Sequence, residues 1–445
     1  MDLLKSIFKG DKIIWIIFLF LCLISITEVF SASSTLVYKS GNHWGPITQH
    51  CTFLAVGALV VVFIHNIPYK WFQVFPLFLL PISGLFLLML LVFNDLNIGG
   101  LLVIERVNEA GRWIKLAGIQ FQPSEFAKMA VVIVTAFILS KGQTEDGADP
   151  KAFKRIMIIA GTMCAFILPE NYSTGVLLFG TVYLVMFVGR VQMRKLLVLG
   201  GSMIAVAIVF ITFLTVTPND VLSKIPVLGS RATTWKTRIN DFTNNEVVPA
   251  AKYDTDGDAQ VAHARIAIAT SNMVGKGPGN SIQRDFLSQA FSDFIFAIIV
   301  EELGLIGGAF VVFLYICLLI RAGRIAKKCD RTFPAFLVLG IALLLVTQAL
   351  FNMMVAVGLA PVTGQPLPLI SRGGTSTIIN CVYIGMILSV SRYVAHLETI
   401  KEQEQQALLA VAQDGENAPS PMIETTDNGA AEPTAHILNN DTEFQ

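Results

Sequence analysis

The sequence predicts an all-α, polytopic integral membrane protein with about ten transmembrane helices and a large extracytoplasmic loop between helices 7 and 8. Three observations carry this prediction. Of 445 residues, 54% are hydrophobic and 14% charged, with a mean hydropathy of +0.64; soluble domains are about a quarter charged. The apolar residues fall in blocks of roughly 20, enough for a helix to cross the hydrocarbon core. Basic residues gather in alternate loops.

The first apolar run, about 13–30, is too long for a cleaved signal peptide and lacks its small-residue exit, so it is read as span one. Spans two and three follow at about 48–64 and 71–93. A polar-apolar mixture over 94–123 contains Gly111-Arg-Trp-Ile-Lys-Leu-Ala-Gly118. Span four, about 124–140, opens with Ser124, Glu125 and Lys128. Spans five and six, about 153–168 and 174–188, are joined by Pro169-Glu-Asn-Tyr-Ser173, and span seven covers about 196–217. The long insert 218–292 precedes spans eight to ten, about 293–320, 333–357 and 375–394. Residues 1–395 thus form one membrane domain. The tail 396–445 is acidic and rich in Glu, Gln, Asn and Ala, helical at first and then disordered.

One set of loops carries Lys9, Lys70, Lys141, Lys154, Arg194, Arg324 and further basic residues; the short loops of the other set hold only Lys39, Arg106, Arg112, Lys115 and Arg372. The positive-inside rule places the first set and both termini in the cytoplasm. The Arg112 loop, the Glu170 turn, the insert ending at Asp293 and the loop Pro361–Thr375 then share the outer face. A formal net charge of zero suggests no nucleic-acid partner. The scattered cysteines and histidines suggest neither a metal site nor a disulfide framework.

Asp293 stands where a polar, glycine-rich stretch meets an apolar run. There a carboxylate stays near water while facing a protein cavity, as a general base must. Capping a helix is its alternative role. Glu301 and Glu302 lie roughly 12 Å deeper, at different angles round the helix; structural pairing is the expected role of both, one of them with a cation from another helix. Asn352 is expected to hydrogen-bond across helices.

Arg112, Lys115, Lys128 and Arg372 are basic residues on the disfavoured side, which suits an anion site for phosphate or pyrophosphate; snorkelling to headgroups is the alternative. Arg238 and Lys276 of the insert, with Ser371, Gly373 and Gly374 of the last outer loop, join the substrate-binding candidates. The segment beginning at Asp254 lacks most of a calcium loop and reads as a surface turn. Apolar residues recurring over 259–273 suggest an interfacial helix. The glycines at 275, 277 and 279 follow that helix rather than a strand, which rejects a dinucleotide fingerprint.

Four stretches in order, Gly111-Arg-Trp-Ile with Gln122-Pro-Ser-Glu-Phe-Ala-Lys128, Gly275-Lys-Gly to Asn280-Ser281, Ser292-Asp-Phe-Ile-Phe-Ala to Gly304, and Pro361-Val-Thr-Gly to Gly374, resemble the family of shape, elongation, division and sporulation proteins, FtsW, RodA and SpoVE. The resemblance runs to about residue 395. It implies a peptidoglycan glycosyltransferase that polymerises lipid II, the undecaprenyl-pyrophosphate disaccharide-pentapeptide, at the outer face of the bacterial cytoplasmic (inner) membrane. It implies work beside a cognate class B penicillin-binding protein, other divisome proteins and membrane lipid. The family's essential aspartate falls on Asp293. A divalent cation, Mg2+ or Mn2+, could assist, although no convincing ligand cluster is visible. Three departures stand out: Pro169-Glu-Asn-Tyr-Ser-Thr174 replaces an aspartate turn, Phe291-Ser292 a His-Thr pair, and Ser371-Arg-Gly-Gly-Thr375 a Ser-Tyr-Gly-Gly-Ser. The acidic tail and motif wording side with the division branch, and so with the septum. A lipid II flippase, an elongation-type polymerase and a non-catalytic scaffold are the rival readings.

Overall fold

The computed structural model describes residues 9–33, 41–42, 44–93, 96–104, 111–144, 147–222, 229–243, 258–287 and 290–416. Of the expected turn over 254–258 only Asp258 is among them, where it opens a helix, and the tail beyond 416 lies outside them. Helix α1 (Lys12–Ala32) is followed by α2 (Gly45–Asn66), a 3-10 turn (Tyr69–Gln73) and α3 (Phe75–Val92). Next come α4 (Pro123–Lys141), α5 (Pro150–Ile167), α6 (Tyr172–Val188) and α7 (Met193–Val216). The insert contributes α8 (Asn219–Leu222), α9 (Gly229–Thr243) and α10 (Asp258–Ala269). The chain continues through α11 (Ile295–Lys328), α12 (Thr332–Ala356) and α13 (Thr375–Glu416). Starts follow familiar chemistry: Asp11 accepts from Ile13 N and Ile14 N, Asp149 from Lys151 N, and Asn171 from Thr174 N.

Among the described residues, eight helices are long and apolar enough to cross a membrane: α1, α2, α3 with its leading turn, α4, α7, α11, α12 and α13. Expected spans five and six correspond to α5 and α6. Helix α6 has 17 residues, about 26 Å, and α5 opens with Lys151, Lys154 and Arg155. Both nevertheless run the length of the bundle. Helix α5 starts where Asp149 N donates to Gly142 O just past α4, and beyond its far end Glu170 Oε2 accepts from Gly111 N. Helix α6 returns, so that Ala148 N can donate to Arg190 O.

Two features depart from an all-helical chain. Residues 96–121 form a four-stranded antiparallel meander of β1 (Leu96–Ile98), β2 (Leu102–Ile104), β3 (Ile114–Leu116) and β4 (Ile119–Phe121). A pair of two-residue strands, β5 (Gln143–Thr144) and β6 (Gly147–Ala148), joins α4 to α5. Strands this short carry no readable alternation.

Burial separates a centre from a rim. Helices α4 and α12, and the apolar first half of α13, are mostly buried, whereas α7 buries only Leu196 and Leu214. Helix α9 packs Ala232, Trp235 and Ile239 onto Phe210 and Leu214 of α7 and Leu222 of α8.

Helix α11 is broken. Gly304 has φ +73° and ψ −177°, so the helical ladder stops there and resumes beyond. The loop 271–283 fills the break: Lys276 N and Gly277 N donate to the freed carbonyls of Glu301 and Glu302 at 3.0 and 2.8 Å, and Leu305 N and Ile306 N donate to Asn272 O and Met273 O. A polar backbone at membrane depth must find partners within the protein, and here the loop supplies them.

Candidate active site

Asp293 lies two residues before α11, half-buried, with Ser292 Oγ donating to its Oδ1 at 3.0 Å. It does not cap the helix; the N-cap residue is Phe294, without a side-chain cap. The loop between α12 and α13 passes beside it, and at Gly364, φ +68°, an added Cβ would sit 3.6 Å from both Asp293 Oδ2 and Arg112 Nη1. The carboxylate and the guanidinium thus flank one glycine. Arg238, reaching in from α9, donates from Nη1 to Val362 O at 3.0 Å and acts on Asp293 through its charge. Burial pushes the Asp293 carboxyl above the ordinary carboxylate range; Ser292, Arg112 and Arg238 pull it back in part.

Arg112 is itself held. Its Nε donates to Glu170 O at 3.1 Å, while Glu170 Oε2 accepts from Gly111 N at 2.9 Å. The Glu170 turn, to which the sequence assigned no role, therefore fixes the arginine that faces Asp293. Beside it, Gln365 Nε2 donates to Thr174 Oγ1 at 2.8 Å. Arg372 lies on the same loop, with Nη2 on Gln49 Oε1 at 2.7 Å and its guanidinium 5.6 Å from the Phe291 ring centroid.

Other candidates are placed elsewhere or used differently. Lys128 is fully buried, pairing with Glu125 at 2.8 Å and donating to Gln348 Oε1 at 2.9 Å, so its charge neutralises an internal carboxylate. Lys276 pairs with Glu301 at 2.6 Å. The cation expected from another helix for one of the glutamates thus comes from the loop, and Arg284 Nη1 lies 3.9 Å from Glu302 Oε1. Glu301 also accepts from Ser281 Oγ at 2.5 Å and Ile282 N at 3.2 Å; Glu302 accepts from Gly279 N, Ser281 N and Ser31 Oγ. Ser371 is buried, and its hydroxyl donates to Ser292 O at 2.6 Å and accepts from Leu367 N at 2.8 Å, both bonds within the protein. Lys115 is exposed on β3, opposite Val103 and Gln120 in the meander. Gly373 and Gly374 lead into α13, where their carbonyls accept from Ser376 N and Thr377 N.

Asn352, near the end of α12, donates from Nδ2 to Asp293 O and Gln365 O, both at 2.8 Å. The expected inter-helix bond is therefore a bond to two loops. Among the described residues no group of three or more His, Cys, Asp or Glu could hold a metal ion. The cations acting on Asp293 are the guanidinia of Arg112 and Arg238.

Comparison with known proteins adds to this geometry. Residues 11–396 match the family model for the cell cycle proteins FtsW, RodA and SpoVE. A probable peptidoglycan glycosyltransferase FtsW of Geobacter sp. (strain M18) is 31% identical, over 86% of this chain and 96% of its own. Its namesake in Trichlorobacter lovleyi is 30% identical over 86% and 93%, and that in Bacillus subtilis 29% identical over 90% and 96%. Among solved structures, a chain of a peptidoglycan synthase complex described as coordinating polymerization and crosslinking superposes with a TM-score of 0.63 at 23% identity, covering 86% of this chain and 98% of that one. The rod shape determining protein RodA of Thermus thermophilus gives 0.57 at 21% identity, covering 86% and 97%. The last two likenesses concern the fold alone.

Proposed function

Because the chain belongs to the FtsW/RodA/SpoVE family of cell cycle proteins, we propose that it is a peptidoglycan glycosyltransferase that polymerises lipid II, with Asp293 as general base. The observation that carries this reading is the half-buried carboxylate of Asp293, acted on by two guanidinia at the mouth of a helix bundle. Asp293 takes the proton of the acceptor sugar's 4-hydroxyl as that oxygen attacks the donor's anomeric carbon. The bond to undecaprenyl pyrophosphate breaks, and the configuration inverts. A carboxyl raised by burial is better matched to removing a hydroxyl proton than an ordinary one. Arg112, Arg238 and Arg372 stabilise the charge developing on the leaving pyrophosphate.

The acceptor and donor approach from the extracytoplasmic side of the inner membrane, with both termini cytoplasmic. The segregation of basic residues supports that orientation, and the course of α5 and α6 along the bundle supports ten crossings. Action at the septum beside a class B penicillin-binding protein is part of the same proposal, carried over from the resemblance to the FtsW, RodA and SpoVE family; that one likeness in fold is a chain of a peptidoglycan synthase complex is in keeping with such a partner. A transporter reading draws on the broken helix α11, since broken helices line many transport sites. Here the break is filled by the loop 271–283, whose amides occupy the freed carbonyls and both glutamates.

The test is polymerisation of purified lipid II by the reconstituted full chain together with its penicillin-binding partner. Asp293→Asn is expected to fold and bind lipid II yet make no glycan strands. Strands formed at the wild-type rate by the folded variant contradict the assignment.

A further inference from the structure

The backbone before Asp293 is held at three consecutive carbonyls. Phe291 O accepts from Arg372 N at 2.9 Å, Ser292 O from Ser371 Oγ at 2.6 Å, and Asp293 O from Asn352 Nδ2 at 2.8 Å. The loop that supplies the first two is itself fastened by its carbonyls to separate helices. Val362 O accepts from Arg238 of α9, Gln365 O from Asn352 of α12, Pro366 O from Gln348 of α12, Pro368 O from Tyr315 of α11, and Ile370 O from Ser25 of α1.

This segment has neither a helical nor a strand ladder, so side chains must satisfy its polar groups. Asn352 is the junction. Both groups facing its amide are carbonyl acceptors, which fixes the amide with its two N–H bonds toward them. Ser371 is the second tie, donating to Ser292 O while accepting from Leu367 N.

We infer that Asn352 and Ser371 are positioning residues, which fix the Asp293 carboxylate against the reacting sugar by pinning the backbone that carries it. The inference rests on the function proposed above. The carboxylate takes its side-chain hydrogen bond from Ser292, whereas Ser371 and Asn352 bond the backbone carbonyls of residues 292 and 293. A general base works only within hydrogen-bond reach of its proton. A shift of about 1 Å in such a group costs on the order of 10²-fold in rate.

The experiment measures lipid II polymerisation by the reconstituted full chain with its partner, normalised to folded protein. Asn352→Ala and Asn352→Leu remove both donors, the leucine keeping the bulk; Ser371→Ala removes the hydroxyl and Ser371→Thr keeps it. Expected are kcat losses of 10-fold or more, up to about 10²-fold, in the first three, with KM within about threefold of wild type and recovery in Ser371→Thr. The acid limb of the rate–pH profile reports Asp293, which Arg112 and Arg238 face. It moves in these three variants, whereas mere loss of folded protein lowers the profile without moving it. Wild-type kcat, a change confined to KM as a substrate-binding Ser371 would give, or an unmoved limb overturns the inference. Should the Asn352 variants fail to fold, the Ser371 pair decides alone. If wild type itself makes no strands, the fault lies with the proposed function; if wild type polymerises and the variants match it, the fault lies with this inference.

Discussion

At the scale of the residue, the sequence marks Asp293 because an acid bordering an apolar run is rare. What it cannot reveal is which groups the chain delivers to that acid. Arg112 comes from 181 positions away and is fixed by a turn that differs from the family's wording. Lys128 shows the opposite case. Glu125 stands three residues before it on a helix, a pairing legible from spacing alone, and the ion pair removes Lys128 from the anion-binding candidates. The charges around Asp293 set a pH dependence. A base acts when deprotonated, so the rate falls as pH drops through the carboxyl's raised folded value. Arg112→Ala removes a cation that holds that value down. The acid limb of the polymerisation rate is therefore expected at higher pH than in wild type; a limb in the same place contradicts the electrostatic role of Arg112.

At the scale of the element, α11 is where sequence and structure differ most instructively. An apolar run followed by two glutamates reads as one continuous span, because periodicity does not register a single residue that leaves helical geometry. Gly304 is that residue, and the glycine-rich loop 275–279 is its counterpart. The two backbones approach so closely that a Cβ on Gly304 would lie 2.3 Å from Met273 O, and one on Gly275 would lie 2.3 Å from Glu302 O. Glu301 and Glu302 read as intramembrane acids, one of them paired with a cation from another helix; Lys276 of the loop beside them pairs with Glu301, and Gly279 N of that loop donates to Glu302. Gly304→Ala is expected to destabilise the protein by about 1–3 kcal/mol from backbone strain alone, with the clash adding to it. Thermal unfolding of the purified variant measures this, and wild-type stability contradicts the break. The β-meander went unread for a simpler reason: its strands are three residues long.

At the scale of the whole molecule, the apolar helices were legible because hydrocarbon thickness dictates their length, and the orientation proposed for them rests on basic residues gathering in alternate loops. The distinction between centre and rim was not, since α7 and α12 have similar mean hydropathies of 2.6 and 2.2, yet one is exposed along most of its length and the other lies at the core. Orientation can be tested by labelling single cysteines with a membrane-impermeant reagent. Lys115→Cys and Lys401→Cys both replace exposed side chains. Labelling of the first from outside and of the second only after permeabilisation is expected; the reverse contradicts the proposed orientation.

All three scales meet at the Asp293 carboxylate, where a rigid loop, two arginines and the end of a broken helix converge. The most direct test is polymerisation of purified lipid II by the reconstituted protein, with and without its penicillin-binding partner, comparing wild type with Asp293→Ala. Glycan strands from wild type that vanish in the folded variant are the predicted result. Strands from the folded variant, or none under any condition while lipid II crosses the liposome bilayer, would contradict it.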